Sequence, residues 1–253
     1  MFLRISSWLL IKFSMRFIVV LLMLMSIRLT SFSQGFIAEV EADDIGVILN
    51  CPASVFLQNG DTLKGKLTSA SLVNSYLKNI VLKLEDGNKR KLSPEEVKVL
   101  QVKASTLAKM AMLNESGSSV FRLVKTNFDE IINREYIIFE QALRATKKDK
   151  PALMQLLNPG FDRLIKVYAD PNANETGGLQ INDISVTGGK NKSYLFVKSN
   201  SKVVIVKKNS YRKNFDDLYG DCEKMMINFE GDKLKFNDMA GHVFVYDQLC
   251  HNE

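Results

Sequence analysis

The segment from Val55 to Leu67, VFLQNGDTLKGKL, constrains the fold more than any other stretch. Asn59-Gly60 tolerates the positive φ of a tight hairpin turn and is flanked by apolar runs. Two antiparallel strands are therefore predicted at Ser54–Leu57 and Thr62–Leu67. Gly65, inside the second strand, implies a bulge or sharp bend. A second hairpin, Lys78–Leu84 with Lys89–Leu92, turns on Glu85-Asp86-Gly87-Asn88. Ser93-Pro94-Glu95-Glu96 offers an N-cap, a first-turn proline and carboxylates, which predicts one helical turn before a fifth strand at Val97–Val102. Four or five short, curved strands between Ala53 and Val102 point to a small SH3-like or Sm-like barrel.

The middle of the chain also reads as β. Tyr136–Leu143, Ala152–Leu157 and Leu164–Ala169 are apolar runs separated by turn residues, among them Asn158-Pro159-Gly160. Tyr194–Lys198 and Lys202–Lys207, joined by Ser199-Asn200-Ser201, form the clearest hairpin of this region. Thr176-Gly177-Gly178 and Thr187-Gly188-Gly189 bracket one predicted strand, Leu179–Val186. The stretch Ser105–Asn133 carries no decisive pattern.

The period changes in the last forty-odd residues. Phe215, Leu218, Cys222, Met225 and Phe229 are spaced three and four apart, as are Phe236, Met239, Val243, Tyr246 and Cys250. Each series puts an apolar stripe on one helix face, read as core packing against the sheet. Gly220-Asp221 is a predicted break in the first helix, with Asp221 as a fresh N-cap, and Gly231-Asp232 separates the two helices. The fold expected is mainly β, of the α+β class: a small barrel over 34–104, a larger antiparallel sheet over 105–208 and a helical pair over 209–253.

Residues 1–33 read differently. The first carboxylate is Glu39, and Phe17–Ile27 (FIVVLLMLMSI) is an uncharged, mostly apolar run preceded by Lys12 and Arg16. That run is shorter than the about 20 residues a spanning helix needs, and it fits the core of a secretory signal peptide. Ser31 and Ser33 satisfy the small-x-small rule for cleavage after Ser33. Met15 serves equally well as the start. No cysteine lies at the cleavage site, which argues against a lipid anchor, and no integral membrane segment is expected after cleavage. The chain is therefore expected to be exported, to the periplasm, the outer membrane or the medium.

Removing the leader changes the charge. The whole chain has 34 Lys plus Arg against 28 Asp plus Glu, a formal +6 and a pI near 9.1. Arg4, Lys12, Arg16 and Arg28 belong to the leader, so the remainder carries 30 basic and 28 acidic residues, a net +2. The only tryptophan, Trp8, leaves as well. Lys64, Lys66, Lys89, Arg90 and Lys91 lie in the barrel segment, but Glu85, Asp86, Glu95 and Glu96 are interleaved with them. Along the chain there is no dense basic stripe, and no nucleic-acid partner is expected.

Thiols in an exported chain tend to oxidise, so Cys222 and Cys250 are read as a disulfide. In a straight helical hairpin turning near Gly231 the two would be out of register, so the pairing requires a break at Gly220-Asp221 or a steep crossing. Two buried free thiols are the alternative. Cys51 is left over, either buried or open to an intermolecular bond.

No GxSxG, HExxH, CxxC or GxxxxGK[ST] motif occurs. His242 and His251 are the only imidazoles. His251 follows Cys250 directly, and adjacent helical residues point apart, which argues against a Cys–His nucleophile pair. The best metal candidate is a calcium-type loop with oxygen ligands at Asp170, Asn172 and Asn174. Its sixth position is Glu175 instead of Gly and its twelfth Ile181 instead of Glu, so the EF-hand pattern breaks off. No catalytic residue and no cofactor are assigned.

The leader ending SFSQ, the NGDTLKGKL segment, LNPGFDRLIKVYADPNANETGG, NKSYLFVK and the closing NFDDLYGDC and VFVYDQLC together resemble exported β-rich proteins of the Bacteroidota type. These carry no assigned activity. The resemblance implies secretion and a recurring C-terminal cysteine pair. The function expected is a non-enzymatic cell-envelope or secreted interaction protein with a protein or small-molecule partner. A small-ligand or lipid carrier with a pocket in the curled sheet is the first alternative, and a hydrolase using dispersed carboxylates the second.

Overall fold

The computed structural model describes residues 35–37, 39–40, 45–106, 109, 135–143, 152–172, 175–181, 184–190, 193–199, 202–230 and 234–251. The signal-peptide reading of residues 1–33 lies outside them, as do most of Ser105–Asn133 and the Gly231-Asp232 turn.

After a 3-10 turn at Ile45–Ile48 come β1 (Pro52–Leu57), β2 (Thr62–Val73), β3 (Tyr76–Leu84), β4 (Lys89–Leu92) and β5 (Val97–Lys103). They pair antiparallel in the order β4-β3-β2-β1-β5, so the chain meanders through four strands and returns to close on β1. Both anticipated hairpin turns use one device. Gly60 (φ +92°) and Gly87 (φ +88°) take the left-handed position, each donating its N–H to the carbonyl of a leucine, Leu57 or Leu84. A three-residue loop closed by a left-handed glycine is a common hairpin solution. Asn59 and Asp86 then play mirrored parts: each accepts the N–H two residues on, from Asp61 and Asn88, while the amide of the pair bonds the carboxylate.

The second strand runs further than predicted, to Val73, because Asn74 and Ser75 both adopt positive φ (48° and 61°) and reverse the chain there. Consecutive left-handed residues define the turn whose twist matches paired strands. Gly65 stands where β2 runs close to its neighbour: a Cβ there would strike the Lys83 carbonyl. The register shifts that bend the ladder lie beyond it, between Leu67, Ser69 and Ser71. Ser93–Glu96 is a turn and not a helix. The Ser93 N–H donates to the Glu96 carboxylate (2.8 Å), and the Glu96 N–H donates back to the Ser93 carbonyl (3.1 Å).

The first sheet does not end with β5. β6 (Tyr136–Ala142) pairs with β5, and β7 (Ala152–Gln155) pairs with β6, giving seven strands in one antiparallel sheet. The runs expected to open a separate sheet after residue 104 thus extend the sheet of β1–β5 through continuous hydrogen bonding, and the strands expected to form a small separate barrel belong to this larger sheet. The inner face, including Val55, Leu67, Leu82, Val97, Leu100 and Phe139, is fully buried.

A second sheet has the order β12-β11-β8, from β8 (Ile165–Ala169), β11 (Tyr194–Lys198) and β12 (Val203–Val206). Between them β9 (Glu175–Ile181) and β10 (Ile184–Lys190) pair as a hairpin. The single strand expected at Leu179–Val186 is therefore divided between two antiparallel strands, β9 ending at Ile181 and β10 beginning at Ile184.

Three helices close the chain: α1 (Tyr211–Tyr219), α2 (Glu223–Asn228) and α3 (Met239–Cys250). The stripe residues Phe215, Leu218, Cys222, Met225, Met239, Val243, Tyr246 and Cys250 are all buried and share one core with Val167, Phe196 and Val206 of the second sheet. The break falls at Gly220, as the sequence indicated, but the residue that caps α2 is Cys222 and not Asp221. The Asp221 side chain is engaged elsewhere. Kinked in this way, the helices bring Cys222 and Cys250 into a disulfide, with Cα atoms 5.9 Å apart. Cys51 is a buried free thiol, its Sγ 3.6 Å from the Leu49 carbonyl and 3.7 Å from that of Val47.

Candidate functional site

Polar side chains converge beside the disulfide. Lys198 ends β11, where strand alternation puts it on the same side as Phe196, facing the helices. It is only 6% exposed. A buried ammonium must be paired, and Lys198 is. Its Nζ donates to the Leu218 carbonyl (2.8 Å) in the last turn of α1 and to Asp221 Oδ2 (2.7 Å). Helix ends leave such carbonyls without partners, and a cation there also complements the helix dipole. The same ammonium lies 5.3 Å from the centre of the Tyr246 ring, whose hydroxyl donates to Asp221 Oδ1 (2.8 Å). Burial acts to raise the Asp221 carboxyl, but the bonds from Lys198 and Tyr246 outweigh it and hold the group below the usual carboxylate range. The Tyr246 phenol is pushed up by burial and by the adjoining carboxylate.

A second group lies within the same core. The Tyr211 hydroxyl and His242 Nδ1 are 2.6 Å apart, and the Tyr219 hydroxyl is 3.5 Å from that of Tyr211. The Tyr211 ring is nearly parallel to the imidazole, while Phe215 and Phe229 meet it edge-on. Burial raises both phenols, Tyr219 most strongly. Phenols held neutral in this way are donors and ring contacts; an activated base or nucleophile needs a shift in the other direction.

Two further clusters tie distant elements together. Glu140 on β6 accepts Lys166 Nζ on both oxygens (2.8 and 2.7 Å) and the Tyr168 hydroxyl (2.6 Å) on one. These bonds join the seven-stranded sheet to β8. Burial, then the Glu140 charge, pushes the Tyr168 phenol far up. Asp247 of α3, completely buried, accepts the Arg163 main-chain N–H and its guanidinium.

The residues singled out for metal are arranged otherwise than a calcium loop would have them. The Asp170 carboxylate is buried and accepts the Ser193 hydroxyl (2.6 Å) and the Asn172 N–H (2.9 Å), which closes a local turn. Asn172 is exposed, and Asn174 lies outside the described residues. Glu175–Gly178, the continuation of the pattern, belong to β9. Among the described residues no group of three or more His, Cys, Asp or Glu is placed to hold a metal ion. Cys250 is tied in the disulfide, so it makes no nucleophile with His251, whose Nδ1 is buried and has no hydrogen-bond partner among the described residues. Among the described residues no helix is long and apolar enough to cross a membrane.

The grouping of Lys198, Asp221 and Tyr246 is not legible in the sequence, where Asp221 reads as a helix cap and Tyr246 as a stripe residue, because the three are far apart in the chain. One signal was there: YLFVK alternates so that Lys198 shares a face with Phe196, and a lysine on a core face requires a buried partner. No family model matches the chain, and no match is found among curated proteins or solved structures.

Proposed function

We propose that the chain is an exported cell-envelope or secreted protein of the Bacteroidota type and that it works by binding, without catalysing a reaction. The observation that carries this reading is the Cys222–Cys250 disulfide and the polar cluster built around it. A structural disulfide is characteristic of oxidising compartments, which agrees with a leader that ends after Ser33. The described residues fall in a unit that begins at Gln34, the residue after the expected cleavage. In support of a binding role, three buried ionisable groups are held in structural pairs: Lys198 with Asp221, Asp247 with Arg163, and Glu140 with Lys166. Each pair compensates a buried charge, a structural use of these groups.

The test is expression with the native leader, followed by fractionation, N-terminal sequencing and mass measurement without reduction. A product starting at Gln34, outside the cytoplasm and two hydrogens lighter than its reduced form, is expected. Retention of Phe17–Ile27, or a reduced Cys222–Cys250 pair in the exported fraction, would overturn the reading.

A further inference from the structure

Strand register gathers lysines that the linear sequence keeps apart. On β2, Leu63, Gly65 and Leu67 face inward, so Lys64 and Lys66 face out. Lys66 lies directly opposite Lys83 on β3, and Lys83 directly opposite Lys89 on β4. Lys91 takes the next outward position, opposite Val81. Five exposed lysines, 64, 66, 83, 89 and 91, thus share the outer face of three adjacent strands. Phe56 of β1, paired with Thr62 and 36% exposed, borders the same face.

This arrangement has an energetic cost in the isolated protein. Adjacent strands are about 4.8 Å apart and alternate residues about 7 Å apart. Both spacings are within the Debye length of about 8 Å at physiological salt. Like charges directly opposite one another destabilise a sheet. None of the five lysines forms an ion pair among the described residues. Of the acids in the adjoining turns, Asp86 is bonded to Asn88 and Glu96 to the Ser93 N–H, while Glu85 and Glu95 are exposed and form no ion pair with these lysines among the described residues. Among the described residues no carboxylate lies within ion-pair distance of the five lysines, so negative charge brought to this face would stabilise it.

We propose that this face docks on a membrane surface of anionic phospholipid. Its charges form a two-dimensional grid with no single-file track, which suits headgroups spread in a plane. Lysines near such a surface are attracted by roughly 1 kcal/mol each. Phe56 at the margin is the kind of apolar side chain that enters the headgroup boundary. A nucleic-acid strand is held along a groove with successive aromatic platforms, and this face has one ring, at its border. The inference rests on the binding role proposed above, with the partner now named as a lipid surface; docking of this kind is peripheral and needs no spanning segment.

The test is co-sedimentation of the purified exported protein, its N-terminus sequenced, with phosphatidylcholine vesicles with and without phosphatidylglycerol. Binding is expected only with phosphatidylglycerol and is expected to fade as salt is raised. The triple variant Lys66→Gln/Lys83→Gln/Lys89→Gln relieves repulsion and is expected to be at least as stable as the parent. Its affinity should fall on the order of a hundredfold. Lys207→Glu/Lys208→Glu, exposed and off this face, should bind as the parent does. Equal binding to both vesicle types, or full binding by the triple variant, would overturn the proposal. So would loss in that variant of oligothymidine binding when the parent binds no vesicles. N-terminal sequencing reads export separately, so failure of that reading is distinguishable from failure of this one.

Discussion

Arg163 reaches across to Asp247 with three donors, its own main-chain N–H (2.9 Å), Nε (2.9 Å) and a terminal guanidinium nitrogen (2.6 Å). The guanidinium is half exposed, while the carboxylate is completely buried. The pair is therefore asymmetric. Arg163→Ala strands a charge in the core and is expected to cost about 3 kcal/mol or more, whereas Asp247→Asn keeps an acceptor for the N–H and should cost less. Urea unfolding of the two variants checks the order.

The disulfide closes a loop of sequence separation 28. Cys222→Ser/Cys250→Ser is expected to lower stability by about 3–4 kcal/mol in the chain-entropy estimate, read as a lower denaturation midpoint. Reduction of the parent should reproduce most of that loss.

Alkaline titration reports on the buried phenols. Tyr168, Tyr211, Tyr219 and Tyr246 are all raised above the ordinary value by burial. A group raised in the folded state contributes its full stability below its unfolded value, about 10, and loses it as the pH climbs toward the folded value. These four of the seven tyrosines should thus ionise in one cooperative step with unfolding. A form starting at Gln34 lacks tryptophan, so tyrosinate absorbance follows this step cleanly; smooth independent titration of all seven would contradict it.

Acid acts through Asp221, which is lowered. Its contribution is present above the unfolded carboxylate value, about 3.9, and is lost as the pH falls below that toward the folded value. Asp221→Asn should flatten this part of the acid limb, measured as thermal midpoint against pH.

The turns give two local tests of opposite sign. Ser75, at φ 61°, is in a conformation that glycine adopts without penalty, so Ser75→Gly should stabilise by about 0.5 kcal/mol. Gly65→Ala would drive a methyl group into the Lys83 carbonyl and is expected to destabilise by about 1–3 kcal/mol. Thermal melts of both variants decide.

What was legible in the sequence follows from the range of each interaction. Gly60 and Gly87 act within five residues, so the hairpins at Leu57–Asp61 and Leu84–Asn88 were readable directly. The stripes ending at Cys222 and Cys250 identified the helix faces, and the break at Gly220 resolved the register objection to their pairing. The Asn74-Ser75 reversal was not legible because serine rarely takes a left-handed conformation, and the division between β9 and β10 because the apolar residues of both read as one run. The Lys198–Asp221–Tyr246 cluster and the Lys66–Lys83–Lys89 row depend on which strands and helices become neighbours. No local pattern encodes that: Lys64, Lys66, Lys89 and Lys91 stand out in the sequence, but not that strand pairing joins them with Lys83 on one face.

The bond between Cys222 and Cys250 also decides what a protease can do to this end of the molecule. A single cut anywhere between them leaves both pieces covalently joined, and the last helix stays attached to the body. A nicked molecule would keep its mass, apart from one added water, until a reductant reached the sulfurs. The C-terminal helices are thus arranged so that a cut in the backbone between the two cysteines releases no fragment.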